Sequence, residues 1–522
     1  MDAGAGATAP THLWSLREDV LVEDGPEQNR LVVVTKWGEF DIDSADDIVR
    51  ASLRRMSLGP ISLENVLARG VSGDDEQVGP VVTRRYRNGT RQEWAHLRQV
   101  LDLLSSSVVR SLGLGDGDSP LLSAIPIARF ASLVLPHVDV YRPIRLSRFV
   151  AMRPYDGDLL MESPLSQYHV VLHRRLASAV ATALSAPTSV AEVAELIREP
   201  QAIVAEIVAY LAGTGIVLLG TRAERETEPQ SETTADDTRS VTARSVTAQS
   251  DDVRFAEDRD PVLLRWSHHD LLFHSRSRMG RYGGQSGAVF PHADKLPTPE
   301  LVKPVRAGRR FGLYRPRIED LATTDPPLTR LLENAKLCDD LSDRQLTEEQ
   351  VGELLFRAAR IRSVASGSTG TDVRYDISDR PYLSIYGLYE LELYVSAHKC
   401  AGMPRGTYHY DPQQHVLTLV NGSELELDEL LDGARVAART SLQPPMLITL
   451  TARVARSSWM YGGIGYSLAL THVGALQQTL CLVANAMGLA ACAPAVDPGD
   501  ITNSALRLDW PAEVGIGEFL VG

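Results

Sequence analysis

From Ser457 to Val496 the chain carries no Asp, Glu, Lys or Arg. A run of that length without charge must lie against lipid or inside protein. Gly462, Gly463, Gly465, Gln477, Gln478, Asn485 and Pro494 interrupt it. Lipid-facing backbone does not tolerate such breaks, so no membrane partner is expected. The run is expected to hold one long helix, Tyr466 to Met487, buried within protein.

A second constraint is the segment Thr221 to Asp252, TRAERETEPQSETTADDTRSVTARSVTAQSDD. It is nearly free of large apolar residues and repeats RSVTA in tandem. Such a composition cannot offset the entropy lost on ordering, so 221–252 reads as a flexible linker. Two small α/β modules are expected before it, at 1–115 and 125–220. After it come a loop-rich connecting segment, 253–330, and a domain at 331–522 that alternates helices and strands.

Local signals fill in these modules. Arg30 to Asp43 alternates apolar and polar residues and reads as a strand pair around a turn. A helix is expected from about Arg91 to Leu112. In FVAMRPYDGDLLMESP (Phe149 to Pro164), Asp156-Gly157 marks a hairpin. Three helices should follow: one near Val170–Leu184, one opened by the capping box of Ser189 and Glu192, and one with Ile203, Val204, Ile207, Val208 and Leu211 on a single face. A hairpin beside three short helices gives a winged-helix-like outline. DNA binding is the familiar use of that shape, and Arg84, Arg85, Arg87 and Arg91 form a local basic cluster. The whole chain, however, has 53 Lys and Arg against 67 Asp and Glu, a net charge of −14. Phosphate neutralisation needs a basic surface, so no nucleic-acid partner is expected.

The chemistry-bearing residues are sparse. Cys338, Cys400, Cys481 and Cys492 show no C-x-x-C spacing and read as reduced thiols of a cytoplasmic protein. The first ten residues lack a basic region followed by an apolar run, so no secretory signal is visible. His268, His269 and His274 match no usual ligand spacing, and no metal is expected.

Several segments in order resemble one family. They are WSHHDLLFHSRSRMGR (Trp266 to Arg281), LTEEQVGELLFRAARIRS (Leu346 to Ser363), GLYELELYV (Gly387 to Val395), RGTYHYDP (Arg405 to Pro412) and SSWMYGGIGYSLAL (Ser457 to Leu470). Over roughly residues 253–522 the chain resembles the SagB-type dehydrogenases, a branch of the nitroreductase-like flavoproteins. The resemblance implies an α+β fold: a nitroreductase-like C-terminal domain preceded by two winged-helix-like modules. It also implies FMN at a dimer interface and oxidation of thiazoline or oxazoline rings in a ribosomal precursor peptide to thiazoles or oxazoles. The N-terminal modules would then hold that peptide or a cyclodehydratase component.

Carried over position by position, the resemblance implies Tyr461 as the catalytic residue, and Lys336, Arg360, Arg362, Ser384 and Gln478 as cofactor-binding residues. The chain departs from the pattern at several of these places. Where the family has an Arg-Arg-Ser-x-Arg cluster for the FMN phosphate, this sequence has Ala335, Lys336, Leu337, Cys338 and Asp339. Pro-Ser-Gly-Gly becomes Leu383, Ser384, Ile385 and Tyr386. Trp-Lys-Tyr-Gly becomes Trp459, Met460, Tyr461 and Gly462, a usual arginine becomes Ile464, and the Gly-His of the long helix becomes Gly474-Ala475. The segment Gly488 to Cys492 would pass the flavin ring by backbone. Two readings stay open. The chain is an azoline oxidase with altered residues, or it is a non-catalytic partner of an intact homologue that has lost its own FMN site. The dimer is accordingly a homodimer or a heterodimer. Each residue also has a plainer role: Tyr461 as a core tyrosine, Ser384 as a turn residue, Arg360 and Arg362 as caps on helix carbonyls.

Overall fold

Asp156 and Gly157 both adopt left-handed backbone, φ 47° and 85°. That geometry matches the twist of a hairpin, and it folds Ala151–Tyr155 back onto Asp158–Glu162 with Tyr155 opposite Asp158. In this computed structural model, residues 9–26, 29–63, 94–115, 119–222, 253–278, 287–304, 307–336, 338–342, 344–368, 374–494 and 499–522 are described. Most of the expected linker, and the cluster Arg84, Arg85, Arg87 and Arg91, lie outside them. The chain divides into two compact units, 1–283 and 284–522.

The N-terminal unit contains a six-stranded antiparallel sheet in the order Pro10–Leu16, Val108–Leu114, Leu122–Pro126, Tyr168–Leu172, Asp158–Glu162 and Ala151–Tyr155. This sheet crosses the boundary expected between residues 115 and 125. Val108–Leu114 is a strand where a helix was expected. Its β-branched start pairs with Pro10–Leu16 in full register, so non-local pairing overrides the helical signal of the residues before it. Tyr168–Leu172 is likewise a strand, and the helix expected near Val170 begins at Arg175. Helices Arg175–Ala183, Val190–Ile197 and Gln201–Gly213 cover one face of the sheet over a shared apolar core. Val190–Ile197 opens with the complete capping box of Ser189 and Glu192. Leu31–Thr35 and Gly38–Ile42 form the strand pair read from the sequence, extended by Leu21–Asp24.

The C-terminal unit is built on a seven-stranded antiparallel sheet. Its order is Arg310–Gly312, Val416–Asn421, Gly406–Asp411, Leu391–Ala397, Met446–Arg453, Glu513–Val521 and Ala491–Cys492. Helices Glu348–Ala359 and Gly465–Ala486 pack on one face. Helix Glu424–Ala437 packs on the other. The uncharged run therefore supplies a long helix, as expected, but protein buries only its inner face, through Ala469, His472, Val473, Leu476, Leu480 and Ala484. Tyr466, Leu470, Gly474 and Gln478, spaced by four, form an exposed stripe. By length and composition alone this helix could cross a membrane.

One expectation about the cysteines is corrected. Cys338 and Cys492 form a disulfide, with Cα atoms 4.7 Å apart across 154 residues of sequence. Sequence spacing gave no sign of it because the pair is made by the fold. The Ala491 N–H donates to the Lys336 carbonyl, which lays the segment before Cys338 along the edge strand. Cys400 and Cys481 are free thiols.

Candidate functional site

The region around Tyr461 is assembled where strand Met446–Arg453 gives way to helix Val454–Met460 and then to the long helix. Tyr461–Gly462 pairs with Gly287–Ala288. Gly463 turns the chain at φ 69°, where a side chain would be strained. The long helix starts at once with Gly465, whose missing Cβ lets it pack directly on Ser457. Two helix ends are thereby brought together over a cavity of about 220 Å³, lined by Val454, Ser457, Tyr461, Gly463, Tyr466 and Ala469 among others.

Tyr461 is 4% exposed. Its hydroxyl is buried and has no hydrogen-bond partner among the described residues. Burial, reinforced by Tyr386, Tyr375 and Glu390, pushes its pKa well above the ordinary tyrosine value. The group is thus a protonated donor with an unspent hydrogen bond, on a residue that lines the cavity. Met460, where the family has lysine, is buried in an apolar cluster with Leu388, Trp459 and Tyr461.

The loop Leu383–Tyr389 faces this centre. Tyr386, Gly387 and Tyr389 all have positive φ, at 56°, 66° and 46°. Such a backbone needs fixing from outside. Ser384 Oγ accepts the Tyr389 N–H at 3.3 Å. The Ile385 N–H donates to His472 Nε2 at 2.9 Å, and His472 Nδ1 lies 2.7 Å from Glu390 Oε1. Arg456, buried, donates to the carbonyls of Leu388, Pro299 and Asp376. Burial pushes its pKa down to about 10, the adjacent Arg453 and Arg380 adding to the effect. The loop then presents Leu383 and Tyr386 outward, each 69% exposed, with the Tyr386 ring 6.4 Å from that of Tyr461.

Behind the loop, strand Leu391–Ala397 carries a second buried acid. Glu392 Oε2 is 2.9 Å from His409 Nε2 and Oε1 is 3.3 Å from Arg453. Burial alone would raise the Glu392 carboxyl; His409 and the Arg453 guanidinium hold it below its ordinary value.

The remaining residues named from the sequence lie apart from Tyr461 or are already engaged. Lys336 sits at the far end of the long helix, where Nζ donates to the Gly488 carbonyl at 2.9 Å and the backbone N–H to Asn485 Oδ1. A helix of 22 residues places that end about 30 Å from Tyr461 within one chain. Arg360 donates to the Phe356 carbonyl at 2.8 Å and stacks on the Phe356 ring. Arg362 binds Asp379 Oδ1 at 2.6 Å and the Arg380 carbonyl at 2.9 Å. Gln478 lies on the exposed stripe. Sequence reasoning missed Glu390, Glu392, Arg456 and His472. The signal was present: two acids alternate in an otherwise apolar strand, and His472 is the one histidine of the uncharged run.

Against FMN, the two ends of the site differ. An unpaired donor beside a cavity suits the polar edge of a ring. The phosphate end does not fit within one chain, because Lys336, Arg360 and Arg362 are bound to carbonyls or to Asp379.

Residues 340–510 match the nitroreductase family model, and residues 144–235 and 201–283 match the model of the cyanobactin oxidase ThcOx. The Methanocaldococcus jannaschii protein MJ1384, classed as a nitroreductase, is 30% identical over 101 residues, 19% of this chain and 50% of that protein. The chain thus matches half the length of that relative. Among solved structures, a protein of Anabaena variabilis classed as a nitroreductase aligns at 18% identity and a TM-score of 0.34, over 48% of this chain and 45% of that one. The E. coli microcin synthetase McbBCD complex with truncated pro-MccB17 bound aligns at 18% identity and a TM-score of 0.31, over 48% of this chain and 90% of that one. The C-terminal region, residues 340–510, therefore has a nitroreductase-like fold.

Proposed function

We propose that this chain is a subunit of an FMN-dependent system that oxidises azoline rings of a ribosomal peptide to thiazoles or oxazoles, with the flavin site completed across a subunit interface. The observation that carries this reading is the pairing, in one chain, of a match to the nitroreductase family with a match to a cyanobactin oxidase. Both matches are to oxidoreductases. The buried, unpaired hydroxyl of Tyr461, a residue that lines the cavity, supports a proton-handling role there.

A shared site follows from the stripe Tyr466, Leu470, Gly474 and Gln478. An uncharged helix face of this kind suits a second subunit. If two such helices packed antiparallel, the Lys336 end of one chain would face the Tyr461 end of the other. The partner is a second copy or an intact homologue. The second of these is favoured by one observation: Lys336, Arg360 and Arg362, the cations that the resemblance assigns to the cofactor, are already bound to carbonyls or to Asp379. The precursor peptide and cyclodehydratase components are the further partners, and the cytoplasm is the proposed compartment.

The deciding experiment is the visible spectrum of the full chain, purified alone and after co-expression with an intact homologue. Stoichiometric flavin in the chain alone supports a self-sufficient oxidase. Flavin that appears only in the mixed complex supports the half-site reading. No flavin and no complex in either preparation would remove both.

A further inference from the structure

The six-stranded sheet of the N-terminal unit has a second face, turned away from the three helices. Side chains alternate along a strand, so Leu122 and Ala124 enter the helix-covered core while Ser123 and Ile125 face the other way. A cleft of about 620 Å³ opens over this second face, walled by Met56–Pro60 and by the turn at Tyr155–Asp158. The proposed oxidase site makes no use of it.

At its floor Asp158, His173 and Ser123 are joined in sequence, and Ser111 extends the series from below. His173 Nδ1 is 2.7 Å from Asp158 Oδ2, and His173 Nε2 is 2.9 Å from Ser123 Oγ. Ser111 Oγ lies 2.7 Å from Ser123 Oγ on the other side. For a neutral imidazole the direction of the chain of protons follows from the partners. A carboxylate only accepts, so Nδ1 carries the ring proton of the neutral imidazole. Nε2 is then the acceptor, and Ser123 must donate to it. Ser111 in turn donates to the lone pair that Ser123 leaves open. The register holds the parts in place, with Ser123 opposite Ser111 on one neighbouring strand and Val171 on the other. A serine hydrogen-bonded to an imidazole that is oriented by a carboxylate is the arrangement that activates a hydroxyl.

We infer that Ser123 is an acyl-accepting nucleophile, with His173 as its base and Asp158 as the residue that positions the ring. Ser123 Oγ bonds to the carbonyl carbon of an ester, its proton passes to His173 Nε2, and His173 returns that proton to the departing alcohol. Water then cleaves the acyl-serine, releasing the carboxylic acid and restoring the hydroxyl. Glu18, Asp19, Asp156 and Asp158 line the cleft against the single cation Arg17, which selects neutral or cationic acyl groups over anionic ones. The ladder already engages the backbone around Ser123, so the strand offers the tetrahedral oxygen no free N–H. Turnover is therefore expected to be slow, and covalent labelling of Ser123 is the proper readout.

The test uses the full chain with a fluorophosphonate probe, which leaves a phosphonyl group on an activated serine and releases fluoride. A single adduct should form and map to Ser123. It should be absent in Ser123→Ala and form about 100-fold more slowly in His173→Gln. If His173→Gln proves unstable by thermal melting, Asp158→Asn, nearer the solvent, gives the same reading. No adduct at Ser123 in the native chain, or equal labelling rates in the folded variants, overturns the proposal.

Discussion

His472 Nδ1 lies 2.7 Å from Glu390 Oε1, and both side chains are buried. The Ile385 N–H occupies the other ring nitrogen, so the imidazole is neutral, with its proton on Nδ1 directed at the carboxylate. One ring thus ties the long helix, the central strand and the loop Leu383–Tyr389 together. Replacing it by an apolar residue leaves a buried carboxylate without its donor. His472→Leu is expected to cost about 3 kcal/mol in a urea titration, and Glu390→Gln, which keeps a hydrogen-bonding partner, about 1 kcal/mol. Equal costs would show that the charge on Glu390 is not what the ring supports.

Tyr461 gives the opposite signature. Its hydroxyl has no partner among the described residues, so Tyr461→Phe removes a buried unsatisfied group. Stability should be unchanged or higher by up to about 1 kcal/mol. In a reconstituted oxidation assay, turnover should fall by about 100-fold if the hydroxyl handles a proton. Loss of stability and activity together would assign it to the core instead.

Much of the C-terminal unit was legible because its signals are local and periodic. The alternation expected at 331–522 is present in strands Leu391–Ala397 and Val416–Asn421 and in helix Glu348–Ala359, which starts at the capping box of Thr347 and Gln350. Expectations weakened wherever a non-local partner decides the outcome. Val108–Leu114 is a strand only because Pro10–Leu16 lies beside it. The same holds for individual side chains. Lys336, Arg360 and Arg362 looked available for phosphate, and each is drawn instead to a carbonyl or carboxylate that only the folded chain brings near. Glu390 and Glu392 were not singled out from the sequence, and both are buried against histidines from other elements.

The disulfide makes a counting prediction. Alkylation of the unfolded, unreduced protein should modify two of the four cysteines, Cys400 and Cys481, and reduction should expose all four. Because the link closes a long loop, Cys492→Ser should lower stability by roughly 2–5 kcal/mol. Four reactive thiols in the unreduced protein would restore the expectation of a fully reduced chain.

Acid sensitivity should centre on Glu162, at the end of strand Asp158–Glu162, next to the edge strand of the N-terminal sheet. His169 first, its Nε2 3.6 Å from Oε2, and then Arg153 and Arg276 act against the cost of burial and hold its carboxyl down at about 2, below the ordinary 4.5. His169 is itself pushed down by burial, so near neutral pH the two arginines carry the charge. Arg276 closes helix His268–Arg276, and its Nε lies 3.2 Å from Glu162 Oε2. The folded pKa is depressed, so this stabilisation is complete above pH 4.5 and disappears as pH falls toward 2. Solvent on one side of the strand screens part of it, leaving about 1–2 kcal/mol. The stability difference between the native chain and Glu162→Gln should therefore be constant from neutral pH down to 4.5 and shrink below it. A difference that persists undiminished toward pH 2 would show that shape, and not charge, fixes this corner of the unit.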